Sequence, residues 1–407
     1  MQHKFGALDL IRAGLQDLDR ARTLFDELHN DGIDDDRMRL LLATLEKACD
    51  PDIALSNLVD IIKVMQSQGK DFTNIIADEN SFVRLITVLG VSDEMGKLMR
   101  FRSELVEAAA NDACESHLYN HEQRRAHVLK SVGADPNDHT MPTASLPLAE
   151  AATALRKTYR KQLAAIMAQD ATANDPIEIQ PRISTELSDL ADAALEGALA
   201  IARHEVDGSE HVRFAIIGMG KLGAQELNYV SDVDLIYVVE PADMDTNGMA
   251  LSRIGTKMAT TLQRVCQSVI MGVAEPTLWQ IDGGLRPEGK DGPLVRRLES
   301  HEAYYEQWAE NWEFQALLKA RPVAGDTDLG QAYMDMTRPF VWTASKRDNF
   351  VYDCQQMRKR VEDLIPNPLK DREIKLGRGG LRDVEFTVQM LQLVHGLSLI
   401  HISEPTR

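Results

Sequence analysis

The chain has 407 residues, enough for two or three domains whose cores need no disulfide bonds for stability. Its formal net charge of −18 repels the phosphates of nucleic acids and membranes, which disfavours a nucleic-acid-binding or membrane-surface protein. The four cysteines have neither metal-ligand nor disulfide-framework spacing, and no signal-peptide segment or membrane-length apolar run is present. We therefore expect a cytoplasmic protein with reduced thiols.

The first part of the chain, to about Lys130, has the apolar periodicity of a helical bundle. Apolar residues recur every three or four positions at 18–28 and again at 55–65. The three aspartates at 34–36 precede another apolar run, and we expect them to cap a helix rather than to bind metal. Nothing in this part predicts catalysis, so a scaffold or partner-docking role is expected.

A proline-containing loop at residues 133–147 follows the bundle and precedes a helix predicted at about 148–169. A short loop around 174–181 comes next. The helix predicted from Ser184 has one apolar face, which is expected to pack against a sheet that begins at Val212. The catalytic domain is therefore predicted to begin near residue 175.

The most informative stretch is residues 214–240, which predicts a strand, a glycine turn, a short helix and a second strand. Asp232 and Asp234 lie at the head of the second strand. Because successive side chains of a strand point to opposite faces, these two carboxylates are expected on the same face. Adjacent carboxylates repel each other unless a cation lies between them, and they are hard oxygen ligands of the kind that Mg²⁺ binds.

The sequence GMGKLG at 218–223 also matches the GxGxxG fingerprint of a dinucleotide-binding fold, and Glu240 lies near the position of its ribose-binding acid. However, the segment between Gly223 and Asp232 has room for only about two helical turns, less than a parallel crossover normally needs. The carboxylates would also repel an anionic pyrophosphate. The dinucleotide-binding interpretation is therefore the less favoured alternative.

A helix-like stretch at 247–271 leads to a strand-like run at 277–281 that ends at Asp282. A glycine turn, two carboxylates heading one strand and a third ending another strand are the groups that phosphoryl and nucleotidyl transfer require. Backbone N–H groups can hold phosphate oxygens, and the carboxylates can hold Mg²⁺. Although single aspartates at strand ends are commonly solvated turn residues, the combination predicts Asp282 as the third metal ligand.

Several cations are candidate phosphate ligands, because positive charge near a nucleotide offsets its negative charge. Arg286, Lys319 and Arg321 are candidates, and pairing with local carboxylates is the open alternative. An aromatic stripe at 304–312 is expected to belong to the core rather than to a base-stacking surface. After a bundle helix at 350–364, the turn KLGRGGLR precedes another helix, and its Arg378 and Arg382 could also reach phosphate.

Three long segments resemble the glutamine synthetase adenylyltransferase family of nucleotidyltransferases: 218–238, which has the sequence GMGKLGAQELNYVSDVDLIYV, then 285–326 and 374–396. The resemblance implies an α+β, mostly helical fold in which a polymerase-β-like nucleotidyltransferase domain with a small mixed sheet is flanked by helical domains. The domains are predicted at 1–174, 175–335 and 336–396. Residues 397–407 depart from the family and are expected to be an unrelated or truncated tail.

The resemblance also implies the roles of individual residues. The metal-binding aspartates of the family correspond to Asp232, Asp234 and Asp282. The nucleotide- and phosphate-binding positions are predicted as Gly218, Gly220, Lys221 and Ser231, together with the arginines and the lysine named above. Gly284 departs from the family pattern, because some members have a polar residue there, which leaves any substrate contact from that side chain open.

The activity implied by the resemblance is the removal of AMP from a tyrosine of glutamine synthetase. Inorganic phosphate would attack the adenylyl group with Mg²⁺ bound and release ADP. The resembled enzymes are more than twice as long and have a second core that attaches AMP from ATP, so the chain is expected to be a fragment. The expected partners are glutamine synthetase and a PII-type signal protein. Two alternatives remain open: this core adenylylates with ATP, or the fragment is an inactive binding module.

Overall fold

A computed structural model of the chain describes residues 5–70, 72, 78–111, 119–243, 248–370 and 372–396. The predicted tail at 397–407 lies outside the described residues. The chain divides into two compact units, one of Met1–Arg124 with Lys157–Leu190 and the other of Arg125–Arg156 with Ala191–Arg407. These units differ from the three predicted domains, because each is built from two separate segments of the chain.

The first unit is helical. Its described helices are α1 (Ala7–Arg12), α2 (Leu18–Asn30), α3 (Asp35–Leu45), α4 (Pro51–Ser67), α5 (Glu79–Val91), α6 (Asp93–Met99) and α7 (Ser103–Ala110). Helix α4 packs against α2, α5 and α6 through its apolar face. The Asp34 side chain accepts hydrogen bonds from the backbone N–H groups of Asp36 and Arg37 at the start of α3, which confirms the predicted capping role.

Three further helices contribute residues to both units: α8 (His121–Ser131), α9 (Leu148–Ala171) and α10 (Pro176–Glu205). Helix α10 begins eight residues before the predicted start at Ser184. Asp175 caps it by accepting from the N–H groups of Ile177 and Glu178, and Pro176 suits a first helical position because its missing N–H would have no partner there. None of the described helices is long and apolar enough to cross a membrane.

The second unit contains a five-stranded sheet and the remaining helices. The strands are β1 (Val212–Gly218), β2 (Val233–Pro241), β3 (Ile281–Asp282), β4 (Val295–Arg296) and β5 (Arg321–Gly325). The helices are α11 (Gly220–Gly223), α12 (Gly248–Gln267), α13 (Leu298–Gln307), α14 (Asn311–Leu317), α15 (Thr327–Thr343), α16 (Phe350–Asp363) and α17 (Leu381–His395). Short 3₁₀ turns lie at Ser209–His211, Gly289–Asp291, Ala344–Lys346 and Asn367–Leu369.

The sheet is mixed, as predicted. Its order is β3-β2-β1-β5, with β4 also paired to β2. Strand β1 is antiparallel to both β2 and β5, whereas β3 and β4 are parallel to β2. A dinucleotide-binding fold requires a parallel pair on either side of its glycine turn, so the antiparallel pairing of β1 and β2 excludes that alternative.

One face of the sheet packs on helices α13 to α17. Ala215, Ile217, Ile236 and Val238 share a buried cluster with side chains of α13 to α17, including Phe350. The helices predicted as a separate bundle at 336–396 thus share their hydrophobic core with the sheet. A boundary at residue 335 would cut through that core, which is why the two parts form one compact unit.

Two predicted elements differ from the structure. The strand-like run at 277–281 forms strand only from Ile281, because the Leu278 N–H donates to the Cys266 carbonyl oxygen of α12 instead of to a strand. The aromatic stripe at 304–312 is interrupted between α13 and α14, where the Glu310 and Glu313 side chains begin a new helix with a capping box. Tyr305 is buried as expected, whereas Trp308 is 73% exposed.

Candidate active site

The glycine turn after β1 lies directly against the head of β2. The Met219 N–H donates to the Asp234 carbonyl oxygen at 2.9 Å. Gly220 has φ of 54°, and a Cβ atom there would lie 2.6 Å from Asp234 Oδ2. At Gly223 a Cβ atom would lie 1.8 Å from the Lys319 carbonyl oxygen. The backbone of the turn therefore approaches the carboxylate and the next segment more closely than any side chain permits.

The structure brings two of the three predicted metal ligands into register. Asp234 on β2 is the Cα partner of Asp282 on the parallel strand β3, so the two side chains lie on the same face. Asp232 immediately precedes β2 and is exposed. Asp282 Oδ1 accepts the Gly284 N–H at 2.7 Å, and the Ser231 hydroxyl donates to the Asp232 carbonyl.

Electrostatics at this edge of the sheet favour a bound cation. Burial raises the pKa of Asp234 to about 6, with further contributions from the neighbouring Asp232 and Asp282 carboxylates. Ligand oxygens from the three aspartates do not all lie within 4.8 Å of one another, so their side chains would have to reorient to share one ion. Burial and mutual repulsion both disfavour the negative charge on these carboxylates. A hard divalent cation such as Mg²⁺, which binds carboxylate oxygens, would offset that charge.

A cavity of about 210 Å³ opens beside Asp234. Gly220 and Asp234 contribute from the sheet side, and residues of α14, α16 and α17 complete the wall. Two predicted cations, Lys319 and Arg382, line it as well, together with Glu385. The fold therefore places the glycine turn, one acidic residue of the cluster and two basic side chains around one space of ligand size.

The basic side chains of the cavity are held by carboxylates. Lys319 Nζ lies 3.0 Å from Glu226 Oε2 and 3.4 Å from Glu385 Oε1. Arg382 pairs with the other oxygen of Glu385 at 2.6 Å. Burial, followed by repulsion from Lys375, lowers the pKa of Lys221. Arg382 and Lys375 also favour the ionised form of Asp234, so the positive charge of this region acts on the acidic cluster.

Two predicted phosphate ligands have their guanidinium groups engaged elsewhere. Arg286 donates to the carbonyl oxygens of Gly283, Lys290 and Gly292 and so holds the loop after β3 in shape. Arg321 lies on β5. Arg378 is exposed on the turn before α17. None of these three lines the cavity beside Asp234, unlike Lys319 and Arg382.

Arg321 holds the glycine turn in place through hydrogen bonds to its backbone. Its guanidinium pairs with the buried Asp192 through two hydrogen bonds of 2.6 and 3.1 Å. It also donates to the carbonyl oxygens of Leu222 and Gly223 at the end of α11. A cation satisfying helix-end carbonyls while neutralising a buried carboxylate stabilises the position of the turn.

We expect the Arg321→Ala substitution to destabilise the protein by about 3 kcal/mol, because it leaves the Asp192 charge buried without this cation. Urea unfolding followed by circular dichroism measures the change. Arg338→Ala is the matched control, since Arg338 is 63% exposed in its pair with Asp335 and should change the free energy of unfolding by less than about 0.5 kcal/mol. Equal effects of the two substitutions would contradict the supporting role of Arg321.

Several residues around the cavity have no sequence pattern that predicts them as site residues. Lys375 belongs to the KLGRGGLR turn, and its charge acts on Asp234. Glu226 and Glu385 are not predicted as site residues by the sequence, although both pair with Lys319. Gln315 and Gln389 line the cavity from α14 and α17. No spacing rule indicates these glutamines, because they are 74 positions apart in the chain.

A larger open cavity of about 780 Å³ lies elsewhere in the second unit. Residues of both charges line it, including Glu310, Lys346, Arg347 and Asp353. None of the predicted metal or phosphate ligands borders it. The acidic cluster and the glycine turn therefore distinguish the smaller cavity as the candidate active site.

The chain is similar in sequence to several known proteins. A family model described as glutamate-ammonia ligase adenylyltransferase matches residues 82–336, and one described as GlnD PII-uridylyltransferase matches 355–404. The bifunctional glutamine synthetase adenylyltransferase/adenylyl-removing enzyme of Bifidobacterium longum (strain DJO10A) is 76% identical over 97% of this chain and 36% of its own length. Proteins of the same name from Cutibacterium acnes and Streptomyces avermitilis are 43% and 41% identical, over 96% and 95% of this chain and 39% and 36% of their lengths. The chain thus spans little more than a third of the length of these relatives.

Proposed function

Because the chain belongs to the glutamate-ammonia ligase adenylyltransferase family, we propose that its second unit removes AMP from an adenylylated tyrosine of glutamine synthetase by phosphorolysis. The observation that carries the proposal is the register pairing of Asp234 with Asp282 beside the glycine turn and the cavity. That arrangement suits a nucleotide phosphate, because it joins metal-ligand oxygens to backbone N–H groups and to two cations.

In this proposal Asp232, Asp234 and Asp282 hold Mg²⁺. The ion would neutralise charge on the phosphoryl oxygens and on the departing tyrosine oxygen. The Gly220 N–H at the end of the glycine turn would hold the adenylyl phosphate, since the Met219 N–H already donates to the Asp234 carbonyl oxygen. Lys221 adds a half-buried positive charge nearby. Lys319 and Arg382 would hold the incoming inorganic phosphate with charge-assisted hydrogen bonds.

The proposed reaction exchanges one phosphorus–oxygen bond for another. An oxygen of inorganic phosphate attacks the phosphorus of the adenylyl group, and the bond from that phosphorus to the tyrosine oxygen breaks. The products are ADP and an unmodified tyrosine, which takes up the proton that the phosphate gives up. In this proposal Asp282 takes that proton from the attacking phosphate and passes it to the departing tyrosine oxygen.

Glutamine synthetase is the proposed protein substrate, since the relatives' name specifies it. A PII-type signal protein is a further proposed partner, supported by the match of residues 355–404 to a family model described as a PII-uridylyltransferase. Both proposals take account of relatives that are longer than this chain, which spans 36% of the length of the Bifidobacterium longum protein.

Following radiolabel from adenylylated glutamine synthetase tests the proposal. The purified chain is incubated with Mg²⁺, phosphate and glutamine synthetase that contains labelled AMP. Phosphate-dependent appearance of labelled ADP is the expected result. Transfer of label from ATP onto unmodified glutamine synthetase, without the reverse reaction, would instead assign the adenylylating direction. Inactivity in both assays, with the chain folded, would overturn the proposed activity for this chain.

A further prediction concerns the effect of Glu385 on phosphate binding. Its carboxylate now pairs with both Lys319 and Arg382, where it competes with an incoming anion for the same charges. We expect Glu385→Gln to lower the phosphate concentration that gives half-maximal AMP release severalfold. Glu306→Gln, an exposed site in the same unit, is the matched control and should leave that concentration unchanged. A higher requirement for phosphate in Glu385→Gln would mean that Glu385 positions the two cations instead.

A further inference from the structure

The cavity beside Asp234 contains a buried pair of glutamine side chains. Gln315 is 2% exposed and Gln389 is 6% exposed, and both line the cavity. Gln315 Nε2 donates to Gln389 Oε1 at 2.7 Å. Among the residues that the structure describes, Gln315 Oε1 accepts no hydrogen bond. A buried oxygen without a donor is unfavourable, so a ligand that donates to it would be bound selectively.

The surroundings of the glutamine pair are apolar and partly aromatic. Trp312, Phe386, Met357, Val361 and Leu285 line the same cavity. A cavity of roughly 150 Å³ accommodates benzene, so about 210 Å³ is sufficient for a larger planar ring system. Flat apolar walls that enclose a few polar groups are typical of sites that bind heteroaromatic ligands.

We propose that this part of the cavity is a purine subsite that recognises adenine through Gln315. The proposal rests on the proposed function, in which AMP is the group removed. Gln315 Oε1 accepts a hydrogen bond from the exocyclic amine of the base. The amide nitrogen of Gln389, which donates to no other described residue, faces a ring nitrogen. Adenine presents such a donor next to such an acceptor, the pattern that glutamine amides recognise.

The tyrosine ring of a protein substrate fits this subsite less well. Its only polar atom is the oxygen bonded to phosphorus, and that oxygen must lie at the reacting centre. The rest of the ring carries only C–H groups and would leave Gln315 Oε1 without a donor. A base is attached to its phosphate through the sugar, so its polar edge is free to reach the glutamine pair.

The test removes one hydrogen-bond donor from the ligand and one acceptor from the protein. Binding of AMP and of purine riboside 5′-monophosphate, which lacks the exocyclic amine, is measured by calorimetry with Mg²⁺ present. The unmodified chain should bind AMP about tenfold more tightly than the analogue. Gln315→Leu should bind both nucleotides equally, at about the affinity of the analogue. Gln331→Leu, an exposed glutamine on α15, is the matched control and should keep the preference.

Equal affinity of the unmodified chain for the two nucleotides would overturn the subsite, whatever the variants do. A preference that persists in folded Gln315→Leu would overturn the role of Gln315. A second variant, Trp312→Ala, should weaken the binding of both nucleotides by the same factor. The labelled-AMP assay separates the two proposals. If the chain releases AMP but binds the two nucleotides equally, only the subsite is refuted. If the chain binds AMP more tightly than the analogue but neither releases nor transfers AMP, only the proposed function is refuted.

Discussion

Replacing Asp234 with asparagine is expected to lower AMP release by at least about 10²-fold to 10³-fold while making the protein more stable. Activity falls because the amide cannot supply the charge that holds Mg²⁺. Stability rises because burial of the charged carboxylate, together with repulsion from Asp232 and Asp282, raises the pKa of Asp234 to about 6 and disfavours the folded protein. Loss of activity with a gain in stability is typical of a residue retained for function.

The stability effect depends on pH with a defined sign. The folded-state pKa of Asp234 lies above its ordinary value of 3.8, so ionisation disfavours the folded protein. The cost is absent below about pH 4, grows as the pH rises, and is complete above about pH 6. It amounts to at most about 3 kcal/mol. In metal-free buffer at pH 7, Asp234→Asn should therefore melt a few degrees higher than the unmodified protein.

Differential scanning calorimetry with and without Mg²⁺ checks this expectation alongside the labelled-AMP assay. Added Mg²⁺ should raise the melting temperature of the unmodified protein and should raise that of Asp234→Asn much less. Asp291→Asn removes a similar charge from an exposed turn in the same unit and serves as the control, with activity and melting temperature unchanged. Turnover of Asp234→Asn within tenfold of the unmodified chain would refute the metal-ligand assignment.

Introducing alanine at Gly223 should be the most destabilising single change around the glycine turn. The added Cβ would lie 1.8 Å from the Lys319 carbonyl oxygen and 2.5 Å from the Gly218 carbonyl oxygen. Both atoms belong to the backbone, so no side-chain rotation relieves the overlap. The turn must separate from the segment before β5, and we expect a loss of about 4 kcal/mol or more in the free energy of unfolding.

Urea denaturation followed by circular dichroism measures the loss. Gly248→Ala is the matched control: Gly248 begins α12, and a Cβ atom there would meet no atom within 4 Å. Alanine at that position should be neutral or slightly stabilising, since it favours helix. If Gly223→Ala lowers the free energy of unfolding by less than about 1 kcal/mol, the turn has room for a Cβ atom beside the Lys319 carbonyl oxygen, and the expectation is wrong.

Much of the second unit could be predicted from local sequence patterns. The strand, glycine turn, short helix and second strand at 214–240 are confirmed, with β2 running Val233–Pro241. The mixed sheet and the mostly helical α+β fold are confirmed as well. These features depend on side-chain alternation along a strand and on backbone freedom at glycine, which act between residues close in sequence.

The contents of the cavity were harder to predict. Arg286 and Lys319 look equivalent in sequence, but the first holds loop carbonyls and the second lines the cavity. Gln315 and Gln389 carry no motif, and they meet only because α14 and α17 pack together. Which side chains line a space depends on the orientation of whole helices, and hydrophobic packing of distant segments sets that orientation.

The sequence by itself determined that two strands are joined by a glycine turn and that aspartates lie at the head of the second strand. It also determined the glutamate-ammonia ligase adenylyltransferase family, because long motifs specify local geometry and charge. Only the tertiary structure decided that Asp234 and Asp282 are register partners, that β1 and β2 are antiparallel, and that the C-terminal helices share a core with the sheet. Those facts arise from contacts between segments far apart in the chain, and burial of apolar surface rather than local preference selects them.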